Sequence, residues 1–311
     1  MRLIRGILVL TVVLGGGCQR PTSLPTGSAT SVSTPAAAPL AQLRSAETSP
    51  TGRELYERHC GFCHGPDGDG RGAAARFLFP NPRNFRTSKF RLTSIVHGGP
   101  LPADLDAVLV HGIPGTSMPS FPQLDEAARG ELIGEVLRLR AEGAREAVVQ
   151  RLRVASPEGD IDAAELRTIL DARLAPGAAV AVPELGQPTP ASIGRGQEVY
   201  VKQNCRRCHG PDGTGGTELY LANEEGYPTR PRNLVWERFK GRPDLASIYL
   251  RIRLGLPGTP MAANPNLSDE ELVALVHYCC SLAREPQWQL TNHQRAQLVL
   301  DRGYLSPGRT P

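Results

Sequence analysis

In "GRELYERHC" from Gly52 and "GQEVYVKQNC" from Gly196, apolar residues recur at helical spacing and each stretch ends on a cysteine. The pattern predicts two short amphipathic helices. A longer periodic stretch runs from about Asp125 through "ELIGEVLRLRAEG". Another, "LVALVHYCCSL", follows Ser268 and Glu271, whose spacing is that of a capping box. Between these pairs, Leu166, Ile169, Leu170 and Leu174 fit one helix face, and "AVVQRLRV" reads as a further helical piece. The expected fold class is all-α: two tandem domains, 51–141 and 191–286, joined by a helical spacer rich in Pro and Ala over 142–190. About 90 residues suffice for one small core around a bound group.

The ends of the chain depart from this pattern. Arg2 and Arg5 precede an apolar run from Ile7 to Leu14 and then "GGGC", the plan of a signal peptide over 1–17. The run is too short to span a bilayer. Cys18 stands where a bacterial lipoprotein is cleaved and acylated, with Leu14 one place early for a lipobox. Residues 18–50 are Pro, Ser, Thr and Ala with few large apolar side chains, so they read as a lipidated flexible tether. Residues 287–311 read as a tail with one short helix. These features predict an exported, periplasm-facing protein held to a membrane by lipid.

The two helices that end on cysteine lead into "CGFCHGPDG" and "CRRCHGPDG", 145 residues apart. C-x-x-C-H is the attachment signature of c-type haem: two thiols form thioethers to the porphyrin edge and the next histidine ligates the iron. With 7 Cys and 7 His in 311 residues, chance would supply the motif roughly 0.004 times. The first site is Cys60, Cys63 and His64; the second is Cys205, Cys208 and His209. A redox C-x-x-C has no use for the following histidine, and a pooled zinc site would leave both histidines unexplained.

Besides the initiator, the chain has only Met118 and Met261, in "GIPGTSMPSF" and "GLPGTPMAAN". They lie 54 and 52 residues after their histidines, each behind a Pro-Gly-Thr turn, and are the candidate sixth iron ligands. His59, His97, His111, His277 and His293 have no repeated counterpart; His97 and His111 read as loop or surface residues and are the candidates only if a haem is bis-His. Both halves carry Pro-Arg-Asn, at Pro82–Asn84 and Pro231–Asn233. The proline carbonyls are expected to accept the Nδ1–H of the iron-bound histidines, and Arg83 and Arg232 to pair with haem propionates. Cys279 and Cys280 remain, as apolar filler on a helix or as metal or redox groups.

Net charge adds little. The formal +4 includes Arg2 and Arg5, so the chain from Cys18 onward is near +2, not a nucleic-acid-binding balance. Locally, Arg71, Arg76, Arg83, Arg86, Lys89 and Arg91 come without an acid. They read either as a docking face for an acidic redox partner or as loop charge and propionate partners.

Both modules resemble class I cytochromes c. The tandem is similar to bacterial periplasmic dihaem cytochromes c, which carry "PRNF…KFR…GIPGTSMPSF" and then "RPRNL…FKG…GTPM", as this chain does over Pro82–Phe85, Lys89–Arg91, Gly112–Phe121, Arg230–Leu234, Phe239–Gly241 and Gly258–Met261. The resemblance implies two covalent haem c groups on Cys60, Cys63, Cys205 and Cys208, with axial His64, Met118, His209 and Met261. It has two departures. Arg138 stands where the closing helix of the second module has Tyr278, which predicts looser helix packing at Gly52 than at Gly196. Met261 is followed by Ala-Ala rather than Pro-Ser, which predicts a looser loop. Two six-coordinate haems make an electron carrier between redox proteins such as an oxidase, reductase or dehydrogenase complex. The alternative is a dihaem enzyme of the peroxidase or thiosulfate-oxidising type, in which one haem opens a site. A purely structural subunit would show no redox cycling.

Overall fold

The computed structural model describes residues 49–283 apart from 98, 158, 216–218 and 243; the expected signal peptide, Cys18, tether and tail lie outside the described residues. The elements in order are α1 (Gly52–His59), α2 (Gly61–His64), a 3-10 turn (Ala75–Phe77), α3 (Pro102–His111), α4 (Glu126–Ala155), α5 (Ala163–Leu174), α6 (Pro190–Lys202), α7 (Arg206–His209), α8 (Leu245–Leu254) and α9 (Asp269–Leu282). Among the described residues there are no strands, only isolated bridges at Ile95–Ala179 and Ala222–Pro228.

Helices α1, α4, α5, α6, α8 and α9 start where a side chain takes up one of the first free amides. Thr51 and Glu54 form a reciprocal capping box at α1, Thr189 and Ser192 one at α6, and Ser268 and Glu271 the expected one at α9. Asp125 and Asp162 cap α4 and α5. Two apolar cores result. The first gathers Leu55, Tyr56, Leu109, Phe121, Leu132 and Leu139; the second gathers Val199, Tyr200, Tyr249, Leu272, Leu275 and Val276.

The opening and closing helices of each module cross in near contact. A Cβ at Gly196 would run into the Ala274 carbonyl, and one at Gly52 into the Glu131 carbonyl. The residue one turn further on is Tyr278 in α9 and Glu135 in α4. Both lie ten residues after their N-caps, Ser268 and Asp125, so Glu135 and not Arg138 takes the place of the aromatic. Arg138 folds back on it, with Nε and Nη2 donating to Glu135 at 2.6 and 2.7 Å, and Arg53 lies 3.6 Å away. The crossing is looser than in the second module, as expected: a Cβ at Gly52 would lie 3.0 Å from the Glu131 carbonyl carbon and 3.4 Å from Glu135 Cβ, against 2.6 Å for both counterparts at Gly196, and an ion pair stands where an aromatic ring does there.

The spacer differs from expectation at its start. The 141/142 boundary falls inside α4, which runs on through "AVVQRLRV" to Ala155. Gly143 does not stop the helix, because its missing side chain lets the Arg86 backbone pass: a Cβ there would be 2.5 Å from Arg86 Cα. After α5, the chain runs extended along the first module, with Val96 N donating to Ala178 O and Val180 N to Ser94 O. Val180, Val182 and Leu185 then pack on the second core. His277 secures this crossing, with Nε2 and Nδ1 each 2.8 Å from Leu185 O and Ser192 Oγ.

Candidate haem sites

α1 stops at Cys60, and the chain makes one further turn, α2, in which Cys63 N and His64 N both donate to Cys60 O. A single turn thus brings Cys60, Cys63 and His64 together at spacings of three and four residues, which share a helix face. Gly65, at φ 82°, ends it in a conformation open to glycine. Tyr56, buried in α1, donates its hydroxyl to Gly65 O at 2.8 Å and ties the turn to the core. The second module repeats the turn and its tie, with Cys208 N and His209 N on Cys205 O, Gly210 at φ 79° and Tyr200 Oη donating to Gly210 O at 2.7 Å, but α6 ends at Lys202 and one more residue, Asn204 at φ 56°, leads into Cys205.

His64 Nδ1 lies 2.9 Å from the Arg83 carbonyl oxygen and His209 Nδ1 2.9 Å from that of Arg232. A carbonyl only accepts, so Nδ1 carries the proton and Nε2 keeps its lone pair for a metal. Burial lowers the pKa of both rings, which favours this neutral form. The acceptors are therefore the arginine carbonyls, one residue after the expected Pro82 and Pro231. The Pro82 carbonyl is turned instead onto Gly70, where a Cβ would lie 2.9 Å from it. Phe85 stacks on His64 with ring centroids 4.4 Å apart, a contact the sequence reading missed although Phe85 stands in the "PRNF" phrase; Leu234 holds that place in the second module.

The two methionine loops close alike. Ile113 N donates to Met118 O at 3.0 Å, Thr116 Oγ1 to Ile113 O at 2.7 Å, and Met118 N to Thr116 Oγ1 at 3.1 Å. In the second loop Leu256, Thr259 and Met261 make the same three bonds at 3.0, 2.7 and 3.3 Å. The Ala-Ala after Met261 removes none of them. Both methionines are half-buried, and Met118 packs on the first core, to which Cys60 also belongs. His97 and His111 are exposed, and His59 sits edge-on to Phe121. Cys279 lies in the second core, where burial raises its thiol pKa; burial pushes that of Cys280 up to about 11.

The basic stretch divides. Arg71 and Arg76 stay near solvent, and Arg86 pairs with Glu142 and Glu146 on α4. Arg83 and Arg91 turn toward the second module, where Arg232, Lys240 and Arg251 meet them. Arg251 donates to Arg91 O at 3.1 Å and Thr93 O at 2.6 Å. Glu224 and Glu225 lie 3.6 and 3.7 Å from Arg83 Nη1, and Glu237 lies 3.2 Å from Arg232 Nη1. The cations remain under-compensated. Desolvation lowers Arg91 and Arg251 to about 10; desolvation, then Arg232 and Arg91, lower Lys240 to about 8. Arg83 Nη1, Arg91 Nε and Arg251 Nε are buried without a hydrogen-bond partner. A pocket wall of this kind fits an anionic group, and haem carries two carboxylates. Sequence reading passed over Glu224, Glu225 and Arg251 and gave Lys240, in the "FKG" phrase, no role; only the meeting of the two modules brings them together.

Two all-α domains, each closing a C-x-x-C-H turn against a buried, carbonyl-backed histidine, define a protein of tandem c-type cytochrome domains. The chain belongs to the family described as cytochrome c oxidase, cbb3-type, subunit III, whose model matches residues 47–134 and 191–279, more than half of its length. It carries two covalently bound haem c groups, one per domain, and its chemistry is haem-based electron transfer with redox protein partners. No curated protein matches the chain. Among solved structures, it is similar to a chain of the Kuenenia stuttgartiensis reducing HAO-like protein complex, with 28% identity and a TM-score of 0.60 over 75% of this chain and 96% of that one. No helix among the described residues is long and apolar enough to cross a membrane.

Proposed function

We propose that the protein is an electron carrier in which each haem is held by His and Met. Cys60 and Cys63, and Cys205 and Cys208, carry the thioethers; His64 and His209 are the proximal ligands, and Met118 and Met261 the distal ones. When bound, the haem iron supplies the one-electron couple. The chain's residues tune and shield it. The Arg83 and Arg232 carbonyls hold each histidine in one tautomer and orientation. The Thr116 and Thr259 hydroxyls stiffen the methionine loops. Arg83, Arg91, Arg232, Lys240 and Arg251, buried cations short of counter-charge, would receive the haem propionates.

The observation that carries this reading is the repetition of the whole set. Neither half lacks a ligand, a backing carbonyl or a loop bond that the other has, so neither is marked as the catalytic site of a dihaem enzyme. We further assign residues 51–141 and 191–286 as the functional modules, with α4 bridging out of the first into the spacer. Cys18 anchors the exported chain by lipid. The likeness to a chain of a reducing HAO-like protein complex supports delivery of electrons to or from a larger redox assembly. Arg206 and Arg207, exposed within the second C-x-x-C-H turn, suit an acidic partner there.

The test is the visible and EPR spectrum of the matured protein, oxidised and reduced, with and without peroxide. Two low-spin haems with a methionine–iron charge-transfer band, unchanged by peroxide, are expected. A high-spin haem, or one that reacts with peroxide, would move the assignment to the enzyme.

A further inference from the structure

Arg83 and Arg232 occupy equivalent places behind the two iron-binding histidines, and each guanidinium group reaches the other module, that of Arg232 while also paired with Glu237 of its own. Arg232 offers its carbonyl to His209, while its Nη2 donates to Pro114 O of the first module at 3.3 Å. The guanidinium lies against Gly115, where there is no Cβ to hold it off. Pro114 and Gly115 belong to the loop closed by Ile113 and Met118. On the other side, Arg83 offers its carbonyl to His64, while its Nη1 lies 3.6 Å from Glu224 Oε1. Glu224 in turn donates its backbone N–H to Gly258 O at 3.0 Å, in the loop closed by Leu256 and Met261. Each line of contacts runs from the histidine of one module to the methionine loop of the other.

We infer that Arg232, and Arg83 acting through Glu224, are positioning residues that couple the two iron sites, each linking one haem's proximal histidine to the loop presenting the other haem's methionine. The inference rests on the His/Met ligation proposed above. The chemistry of arginine suits this role. Its rigid fork lets Arg232 meet Glu237 at 3.2 Å and Pro114 O together, which a single ammonium cannot do with the same geometry. The Arg232 side chain is 16% exposed, so these bonds act in a medium of low dielectric. A methionine–iron bond depends on where its loop is held. Removing a charged donor from that loop shifts the balance between bound and displaced methionine by about tenfold.

The test uses the full-length holoprotein carrying Met261→His, in which the methionine–iron charge-transfer band reports Met118 alone. Adding Arg232→Met should weaken that band and tighten binding of added imidazole at the first haem by about tenfold. Arg232→Lys, which keeps the charge but not the fork, should behave as Arg232→Met does. An unchanged band and unchanged imidazole affinity, with only the second haem's potential altered, would overturn the coupling and leave Arg232 acting inside its own module. The reciprocal arm pairs Met118→His with Glu224→Ala and reads Met261. A weakened Met261 band there supports the brace and an unchanged one overturns it, so this arm decides if Arg232→Met does not fold. Absence of any methionine band in the unsubstituted protein would sink the ligation reading itself, before either arm is measured.

Discussion

Replacing Gly196 with alanine should destabilise the second domain, whereas the same replacement at Gly134 should stabilise the first. Both glycines lie inside helices, so each substitution removes backbone entropy from the unfolded chain and gains about 0.5–1 kcal/mol by propensity. The surroundings then decide the sign. At Gly134 nothing lies within 4 Å of the new methyl, and the gain is kept. At Gly196 the methyl would lie 2.6 Å from both the Ala274 carbonyl carbon and Tyr278 Cβ, about 1 Å inside normal contact. The obstacle is a backbone carbonyl and a Cβ, neither of which can swing aside, so α6 and α9 must part. Overpacking of this kind costs about 1–3 kcal/mol. The separation also withdraws Val199 and Tyr200 from α9, which places the net loss near the upper end, at roughly 2 kcal/mol. At about 2–4 °C per kcal/mol for a chain of this size, Gly196→Ala should lower the melting temperature by roughly 4–8 °C and Gly134→Ala raise it by about 1–4 °C. Circular dichroism gives the melt, and the methionine–iron band shows whether the haem site loosens with it. Shifts of the same sign in both variants would refute the close crossing on which the domain is built.

Three further outcomes are expected. Arg138 hydrogen-bonds hold the Glu135 carboxylate below its ordinary 4.5, so its stabilisation is present above that pH and lost as pH falls through the lower folded value. Glu135→Gln should therefore cost about 1 kcal/mol at neutral pH, discounted because Arg138 is partly exposed, and denaturant curves should converge with the parent's only once the pH has fallen through the lowered folded value. Tyr200→Phe keeps the packing but leaves Gly210 O without its 2.7 Å donor; a drop of about 1–2 kcal/mol is expected, and an unchanged midpoint would count against the bond. Arg206→Glu with Arg207→Glu should slow oxidation of the second haem by ferricyanide several-fold at low ionic strength, with the rate recovering near about 0.5 M salt; a salt-independent deficit would point to altered haem binding instead.

Much of this architecture could be read before any coordinates. The capping box at Ser268, the paired opening helices and the two Pro-Gly-Thr loops are local features, written within a few residues of one another. The equivalence of the closing helices is less legible: Arg138 matches Tyr278 in the sequence alignment, but ten residues from each N-cap reach Glu135 and Tyr278, and only the helix starts fix that register. The first module's expected boundary at 141/142 fell inside α4, where Gly143 lets the Arg86 backbone cross the helix, a long-range contact that no local pattern announces.

By itself, the sequence determined that the protein binds two c-type haems in helical domains. C-x-x-C-H is a chemical instruction carried by one turn of chain, and it needs no distant partner to be recognised. Tertiary structure alone decided the fate of the arginines: Arg86 to an ion pair on α4, Arg71 and Arg76 to the outside, Arg83 and Arg91 to a buried seam with Arg232, Lys240 and Arg251. A guanidinium has the same chemistry everywhere along the chain. What it does is set by how much water its surroundings remove and which charges from far segments arrive beside it, and those are properties of the folded protein only.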